Sequence, residues 1–139
     1  MHKIYFACSI RGGRNDAEIY RELVAHIKTK AVVLSEIFAD NELTPQGSSG
    51  SSSAIYAKDM SWVTEANAII AEVTNPSLGV GYEIAKAEEM GKPVLALYRE
   101  QEGRKLSAMI DGSPLTDVVT YSSPKEAFFA INGFIEFLS

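Results

Sequence analysis

Cysteine is all but missing from this chain of 139 residues: Cys8 stands alone, so neither an intrachain disulfide nor a Cys-rich zinc site can form. Only two histidines, His2 and His26, accompany it, and their scatter argues against a transition-metal cage. Long apolar runs are missing too. The longest apolar stretches, such as 68–71 and 94–98, fall well short of the roughly 20 residues of a membrane span. Positive charge is also in deficit. Thirteen Lys and Arg against eighteen Asp and Glu leave a net charge of −5, which argues against a nucleic-acid polymer held by bulk positive charge. A small anion held by a local site remains compatible with it. The N-terminus passes from Met1-His2-Lys3 directly into strand-like residues, with no signal-peptide core. That is the pattern expected of a cytoplasmic protein.

What the chain does contain is ordinary globular material. Apolar residues make up 46% and charged residues 22%, which excludes wholesale disorder. The length fits one compact domain, 1–139, with no room for a separate cofactor domain. A chain of this size buries roughly 68–70% of its unfolded surface and needs no staples.

Two hydrophobic periods alternate along the sequence. Residues 3–8 (KIYFAC) form a short run of β-formers that ends at Ser9-Ile10-Arg11-Gly12-Gly13. A helix is predicted over 14–30, where Tyr20, Leu23, Val24 and Ile27 fall on one face. Further strands are predicted at 31–38, 67–74, 92–98 and 117–122, with helices near 54–66, 79–90 and 105–111. Ser123-Pro124-Lys125-Glu126 combines a capping box with proline at the first helical position. The helix it opens should pack through Phe128, Ile131, Ile135 and Leu138. Continuously apolar strands alternating with helices predict a parallel sheet covered on both faces. The expected fold class is therefore α/β, a three-layer sandwich with a five-stranded parallel sheet, flavodoxin- or Rossmann-like. The run 46–53 (QGSSGSSS) is of low complexity and reads as a mobile loop.

Open α/β sheets bind ligands at the carboxyl ends of their strands, and two segments stand out there. Ser9-Ile10-Arg11-Gly12-Gly13-Arg14 follows the first strand, and Asn75-Pro76-Ser77-Leu78-Gly79-Val80-Gly81 follows the third. Each combines glycines and a hydroxyl with a following helix N-terminus, whose unpaired N–H groups favour phosphate. Arg11 and Arg14 could add charge-assisted bonds. Gly12-Gly13 equally fits a plain strand-to-helix turn flanked by solvated arginines. Neither GxxxxGK[ST] nor GxGxxG occurs.

The helices carry a sharper anomaly. On a wheel for 54–66, Lys58, Ser61, Thr64 and Glu65 face outward, whereas Asp59 falls in the inward arc with Ile55, Trp62, Val63 and Ala66. On the next helix Glu83 lies beside Val80, Ala87 and Met90, while Lys86 and Glu89 face outward. Burying an unpaired carboxylate is costly, so each acid needs a partner or a polar pocket. Each could cap a backbone group or meet an arginine. As a pair near the ligand edge, they also match the two carboxylates that carry glycosyl transfer at an anomeric carbon. Other candidates are weaker. Cys8 reads as packing, and His26, on a face with Glu22 and Lys30, reads as solvated. Glu36 and Glu72 sit in strands, where they either hold the site or satisfy backbone groups. Tyr5 stays a candidate because the first strand is central in this topology.

Four segments occur in a telling order: 5–14 (YFACSIRGGR), 59–62 (DMSW), 71–83 (AEVTNPSLGVGYE) and 103–110 (GRKLSAMI). Over nearly the whole chain this resembles the 2′-deoxynucleoside 5′-phosphate N-hydrolases of the nucleoside 2-deoxyribosyltransferase superfamily. PSLGVGYE and LSAMI are its specific segments. The resemblance implies the same five-stranded parallel fold, with Glu83 as nucleophile and Asp59 assisting proton transfer and orientation. Tyr5 would orient the sugar and the nucleophile. Ser9, Ile10, Arg11, Gly12, Ser77, Gly79 and Ser107 match positions that hold the 5′-phosphate or line its pocket. Ser107 and Met109 reach a neighbouring subunit's site in the family, which implies a homodimer. Neither metal nor cofactor is implied. Ala7-Cys8 replaces a Cys-Gly pair of the family, and the variable 46–53 loop leaves base preference open.

The implied reaction is hydrolysis of a deoxynucleoside monophosphate. Glu83 would attack C1′ as the base leaves, and water would release 2-deoxyribose 5-phosphate from the covalent ester. A deoxyribosyltransferase acting on bare nucleosides is the nearest alternative, but it would not need Ser9, Arg11, Ser77 and Ser107 as phosphate donors. A ribonucleotide N-glycosidase is a second alternative. A non-catalytic nucleotide sensor is the third, and it would leave Glu83 without a chemical role.

Overall fold

The computed structural model describes residues 1–9, 14–35 and 51–139. Strands and helices alternate along them: β1 (Lys3–Cys8), α1 (Arg14–Lys28), β2 (Val32–Leu34), α2 (Ser52–Glu65), β3 (Ala68–Glu72), α3 (Leu78–Glu89), β4 (Val94–Arg99), α4 (Ala108–Asp111), β5 (Thr116–Tyr121) and α5 (Pro124–Leu138). All five strands are parallel, in the order β2-β1-β3-β4-β5. The expected fold class is the one observed. β1 lies inside the sheet, with Ile4 beside Val33 on one side and Ala68 on the other. The strand order reverses between β1 and β3, the switch point where such sheets open a crevice for ligands.

Alternation along each strand divides the core in two. Ile4, Phe6, Ala68, Ile70, Leu95 and Leu97 pack with Tyr20, Leu23, Val24 and Ile27 of α1 and with Ile131 and Ile135 of α5. Tyr5, Ala7, Ile69, Ala71, Val94 and Ala96 pack on the opposite face against Val63 of α2 and Val80 and Ile84 of α3. Each fully buried large apolar side chain contributes about 1.5–3 kcal/mol. A one-residue slip of β1 would exchange the two sets and turn Tyr5 away from α3. Register and site geometry are thus one constraint.

Several boundaries and contacts differ from expectation. The first helix ends at Lys28, where the Thr29 hydroxyl donates to the His26 carbonyl at 2.7 Å and competes with further helical bonding. Ser52 and Ser53, assigned from sequence to the 46–53 loop, form the first turn of α2 because Ser51 caps it. The Ser51 hydroxyl accepts from the Ala54 N–H at 3.2 Å. The capping box predicted at α5 does not form. Ser123 makes no side-chain cap bond, and Glu126 accepts instead from the Ser122 N–H at 2.5 Å. His26 is not merely solvated: it donates through Nε2 to Asn132 Oδ1 at 2.7 Å and stacks on Phe128 at 4.2 Å. It ties α1 to α5. Met90 caps α3 and is 44% exposed, outside the buried arc of Glu83.

Lys92 settles where α2 ends. Its ammonium donates to the carbonyls of Val63 at 2.8 Å, Thr64 at 2.5 Å and Ala66 at 2.6 Å, acceptors a helix leaves open at its C-terminus. Burial lowers the Lys92 pKa. Lys92→Met keeps the stem but strands these carbonyls, and should cost about 1–3 kcal/mol of stability. Urea unfolding checks this, and an unchanged midpoint would show that water replaces the cap.

Candidate active site

Tyr5 projects from β1 toward α3, and its hydroxyl donates to Glu83 Oε2 at 2.6 Å. Both side chains are buried, at 5% and 7% exposure. Glu83 occupies the inner face of α3 with Val80, Ile84 and Ala87, as its place in the apolar arc predicts. The Tyr5 ring also meets Trp62 of α2, with centroids 6.1 Å apart and planes tilted by 37°. Asp59 stands three residues before Trp62 on the same helix face, one turn away. Its Oδ1 is shielded from solvent. Tyr5 therefore links the two helices that carry the acids. At the exposed rim the hydroxyls of Tyr56 and Tyr82 lie 3.4 Å apart, and the Lys58 ammonium sits 5.2 Å from the Trp62 ring centroid.

The β3–α3 connection is arranged around Ser77. This residue caps α3, its Oγ accepting from the Val80 N–H at 3.2 Å, which leaves its own proton available to donate. Gly79 and Gly81 follow in the first turn. Neither has a positive φ. A Cβ at Gly79 would meet Ser77 Oγ at an ordinary 3.8 Å, and one at Gly81 would meet nothing within 4 Å. Each glycine costs about 1 kcal/mol of helix propensity against alanine, with no backbone requirement among the described residues to explain it.

Ser9 is buried just beyond β1. Ile10, Arg11, Gly12 and Gly13 lie outside the described residues, as do the Arg14 side chain, Glu36, the predicted strand end at 36–38, and 46–50 of the serine-rich run. Ser107 caps the short α4, its Oγ accepting from the Met109 N–H at 3.2 Å. Met109 is 84% exposed. The structure joins Tyr5 directly to Glu83, sets Asp59 beside Tyr5's ring partner, and leaves Ser107 and Met109 on an exposed element.

A polar cluster at the carboxyl edge of the sheet was not foreseen beyond Glu72. Glu72 is fully buried and accepts from the Thr74 N–H at 2.8 Å, the Thr74 hydroxyl at 2.7 Å and the Tyr121 hydroxyl. Burial raises its pKa, and these donors pull it back. Burial likewise pushes the Tyr20 and Tyr121 phenols up. Arg99 forms an ion pair with Asp16 at 2.7 Å. Burial works against the Arg99 charge, but the Asp16 hydrogen bond and charge leave its pKa raised. Among the described residues, no group of three or more His, Cys, Asp or Glu side chains is placed to hold a metal ion.

Comparison with known proteins gives this geometry a context. The family model for nucleoside 2-deoxyribosyltransferase matches residues 4–117. The 5-hydroxymethyl-dUMP N-hydrolase of Mus musculus is 47% identical over 112 residues, 79% of this chain and 65% of that protein. This chain thus matches just under two thirds of the mouse relative's length. The Tetraodon nigroviridis protein of the same name is 46% identical over 113 residues, 80% of each chain. The Danio rerio protein of that name is 43% identical over 122 residues, 85% of each. Among solved structures, a Clostridium botulinum CMP N-glycosidase superposes with a TM-score of 0.70 at 19% identity, covering 94% of this chain and 98% of that one. A conserved protein from Enterococcus faecalis V583 superposes at 0.74 and 20% identity, covering 96% and 98%. At these identities the superpositions establish the shared fold.

Proposed function

Since the chain belongs to the nucleoside 2-deoxyribosyltransferase family, in the branch of the 5-hydroxymethyl-dUMP and 2′-deoxynucleoside 5′-phosphate N-hydrolases, we propose that it hydrolyses the N-glycosidic bond of 2′-deoxynucleoside 5′-monophosphates. Residues 1–139 act as one domain of this family, on free nucleotides in the cytoplasm. The observation that carries the reading is the buried Tyr5–Glu83 hydrogen bond, with Asp59 a helical turn from the ring packed on Tyr5. A carboxylate in an apolar wall, held by a phenol, is suited to attack an anomeric carbon.

Glu83 forms the bond to C1′ while the C1′–N bond breaks through an oxocarbenium-like transition state. The electron pair leaves with the base, which takes a proton. Asp59 assists that transfer and orients the sugar. Water then attacks C1′ of the deoxyribosyl ester and gives up a proton, releasing 2-deoxyribose 5-phosphate and freeing the Glu83 carboxylate. Without a 2′-hydroxyl to withdraw electrons, the deoxyribosyl cation forms readily, so two carboxylates suffice. Tyr5 steadies Glu83 between the steps.

Ser9, Ile10, Arg11, Gly12, Ser77 and Gly79 hold the 5′-phosphate. In support, the α3 N-terminus offers unpaired N–H groups beside the Ser77 hydroxyl, and Gly79 keeps side-chain bulk away from them. A second copy of the chain adds Ser107 and Met109 to the same site. The 84% exposure of Met109 on a surface helix agrees with that role.

The test is to incubate the protein with deoxy- and ribonucleotides and their nucleosides and measure free base. Release from deoxynucleoside monophosphates is expected; no release from any of them would favour a binding role without chemistry. Asp59→Asn keeps the shape but removes the charge, and should lower turnover on the order of 10²-fold or more. Full activity in that variant would make Asp59 structural.

A further inference from the structure

The loop after β3 is tied to two neighbouring elements through one carboxylate. Asn75 Nδ2 donates to Asp16 Oδ2 at 2.5 Å and to the Tyr20 hydroxyl at 3.2 Å, joining the loop to α1. Arg99 Nη2 donates to the other oxygen, Asp16 Oδ1, at 2.7 Å, joining α1 to the end of β4. The Arg99 backbone N–H donates to Thr74 Oγ1 at 2.9 Å, which brings β4 back to the loop. Asp16 is 9% exposed. Ser77 stands two residues beyond Asn75.

As a source of stability alone this arrangement is poor. Arg99 Nη1 is buried without a hydrogen-bond partner among the described residues, and a buried donor left so costs free energy. Apolar side chains of similar volume often serve as well or better than a buried ion pair. What the guanidinium, carboxylate and amide add is fixed position, because planar groups with directed donors meet in few geometries.

We propose that Asp16, Asn75 and Arg99 form a positioning brace that sets the Asn75–Ser77 turn, and with it the Ser77 hydroxyl and the first N–H groups of α3, for the substrate's 5′-phosphate. The proposal rests on the phosphate-binding part of the function above. None of the three need touch the substrate. They act through Ser77 and the helix end, so they govern affinity for the phosphate more than the chemistry at C1′.

The test titrates the full chain with one deoxynucleoside 5′-monophosphate and, separately, with the same nucleoside lacking phosphate. Wild type, Asn75→Ala, Asp16→Asn, Arg99→Met and Arg99→Lys are compared, with thermal unfolding recorded for each. The monophosphate Kd should rise about tenfold or more in Asn75→Ala and Arg99→Met, while the nucleoside Kd stays within about threefold. Arg99→Lys, which keeps the charge without the fork, should fall between wild type and Arg99→Met. If Asp16→Asn does not fold, Asn75→Ala on the half-buried loop residue reads the same brace. Equal weakening of both ligands, or a lowered Tm with an unchanged monophosphate Kd, overturns the proposal. So does a wild type that shows no preference for the monophosphate. Base release by wild type is measured alongside: its absence would overturn hydrolysis, while the binding comparison still decides the brace.

Discussion

Glu83→Ala and Glu83→Gln should abolish base release, by on the order of 10³-fold or more, yet bind the monophosphate within about tenfold, ~1.4 kcal/mol, of wild type. The reasoning separates two ends of the substrate. At C1′ the proposed mechanism needs an anionic oxygen that forms a bond, which neither alanine nor a neutral amide supplies. At the 5′ end, the proposed phosphate site rests on Ser77 and the α3 N-terminus, which neither change touches. The two variants differ usefully. Glutamine keeps an oxygen to accept from the Tyr5 hydroxyl, now 2.6 Å from the carboxylate, whereas alanine leaves that buried phenol unpaired and should also lower stability. Tyr5 thus reports on structure while turnover reports on chemistry. Near-wild-type turnover in either variant would remove Glu83 from the nucleophile's role.

The legible parts of this molecule are those that repeat locally. Strands showed as short runs of β-formers, and α1 as a face through Tyr20, Leu23, Val24 and Ile27, all of them buried in the structure. Asp59 and Glu83 stood out because each breaks a 3.6-residue apolar arc, a signal contained within one helix. Their assembly was not legible from that signal. Tyr5 and Glu83 are 78 residues apart, and only the sheet order and the pleat of β1 bring them together. The same reason hid the brace. Asp16 meets Asn75 across 59 residues and Arg99 across 83, and on its own each reads as a polar residue near an element's end. Lys92 opens the strand predicted at 92–98, and nothing local in sequence shows that its ammonium meets the last carbonyls of α2, 26 to 29 residues earlier. His26 was misread because wheel neighbours within α1 say nothing of Phe128 and Asn132 on α5. Local periodicity finds which residues are anomalous. Topology decides what they meet.

A deoxynucleoside stripped of its 5′-phosphate should be a very poor substrate, with kcat/KM lower by about 10²-fold or more than for the monophosphate. The phosphate is remote from the bond that breaks, so its binding energy can be used to hold C1′ against Glu83. Loss of such a group lowers turnover as well as affinity. In the structure the group proposed to receive it is the first turn of α3, where Ser77 caps the helix and Glu83 lies on the inner face of that same helix. A phosphate seated on the N-terminus would therefore place the sugar relative to the nucleophile through one rigid element. Inorganic phosphate and sulfate should compete with the monophosphate, since both present the same oxygens to the same N–H groups. Di- and triphosphates should be poor substrates, because a site built from hydroxyls and helix N–H groups around one phosphoryl group leaves little space beyond it. The measurement is kcat/KM for one deoxynucleoside and its mono-, di- and triphosphate at constant ionic strength, which holds the screening of surface charge fixed. If the bare nucleoside proves as good as the monophosphate, the phosphate site is wrong. Transfer of deoxyribose between bases then becomes the better reading of the same pair of carboxylates.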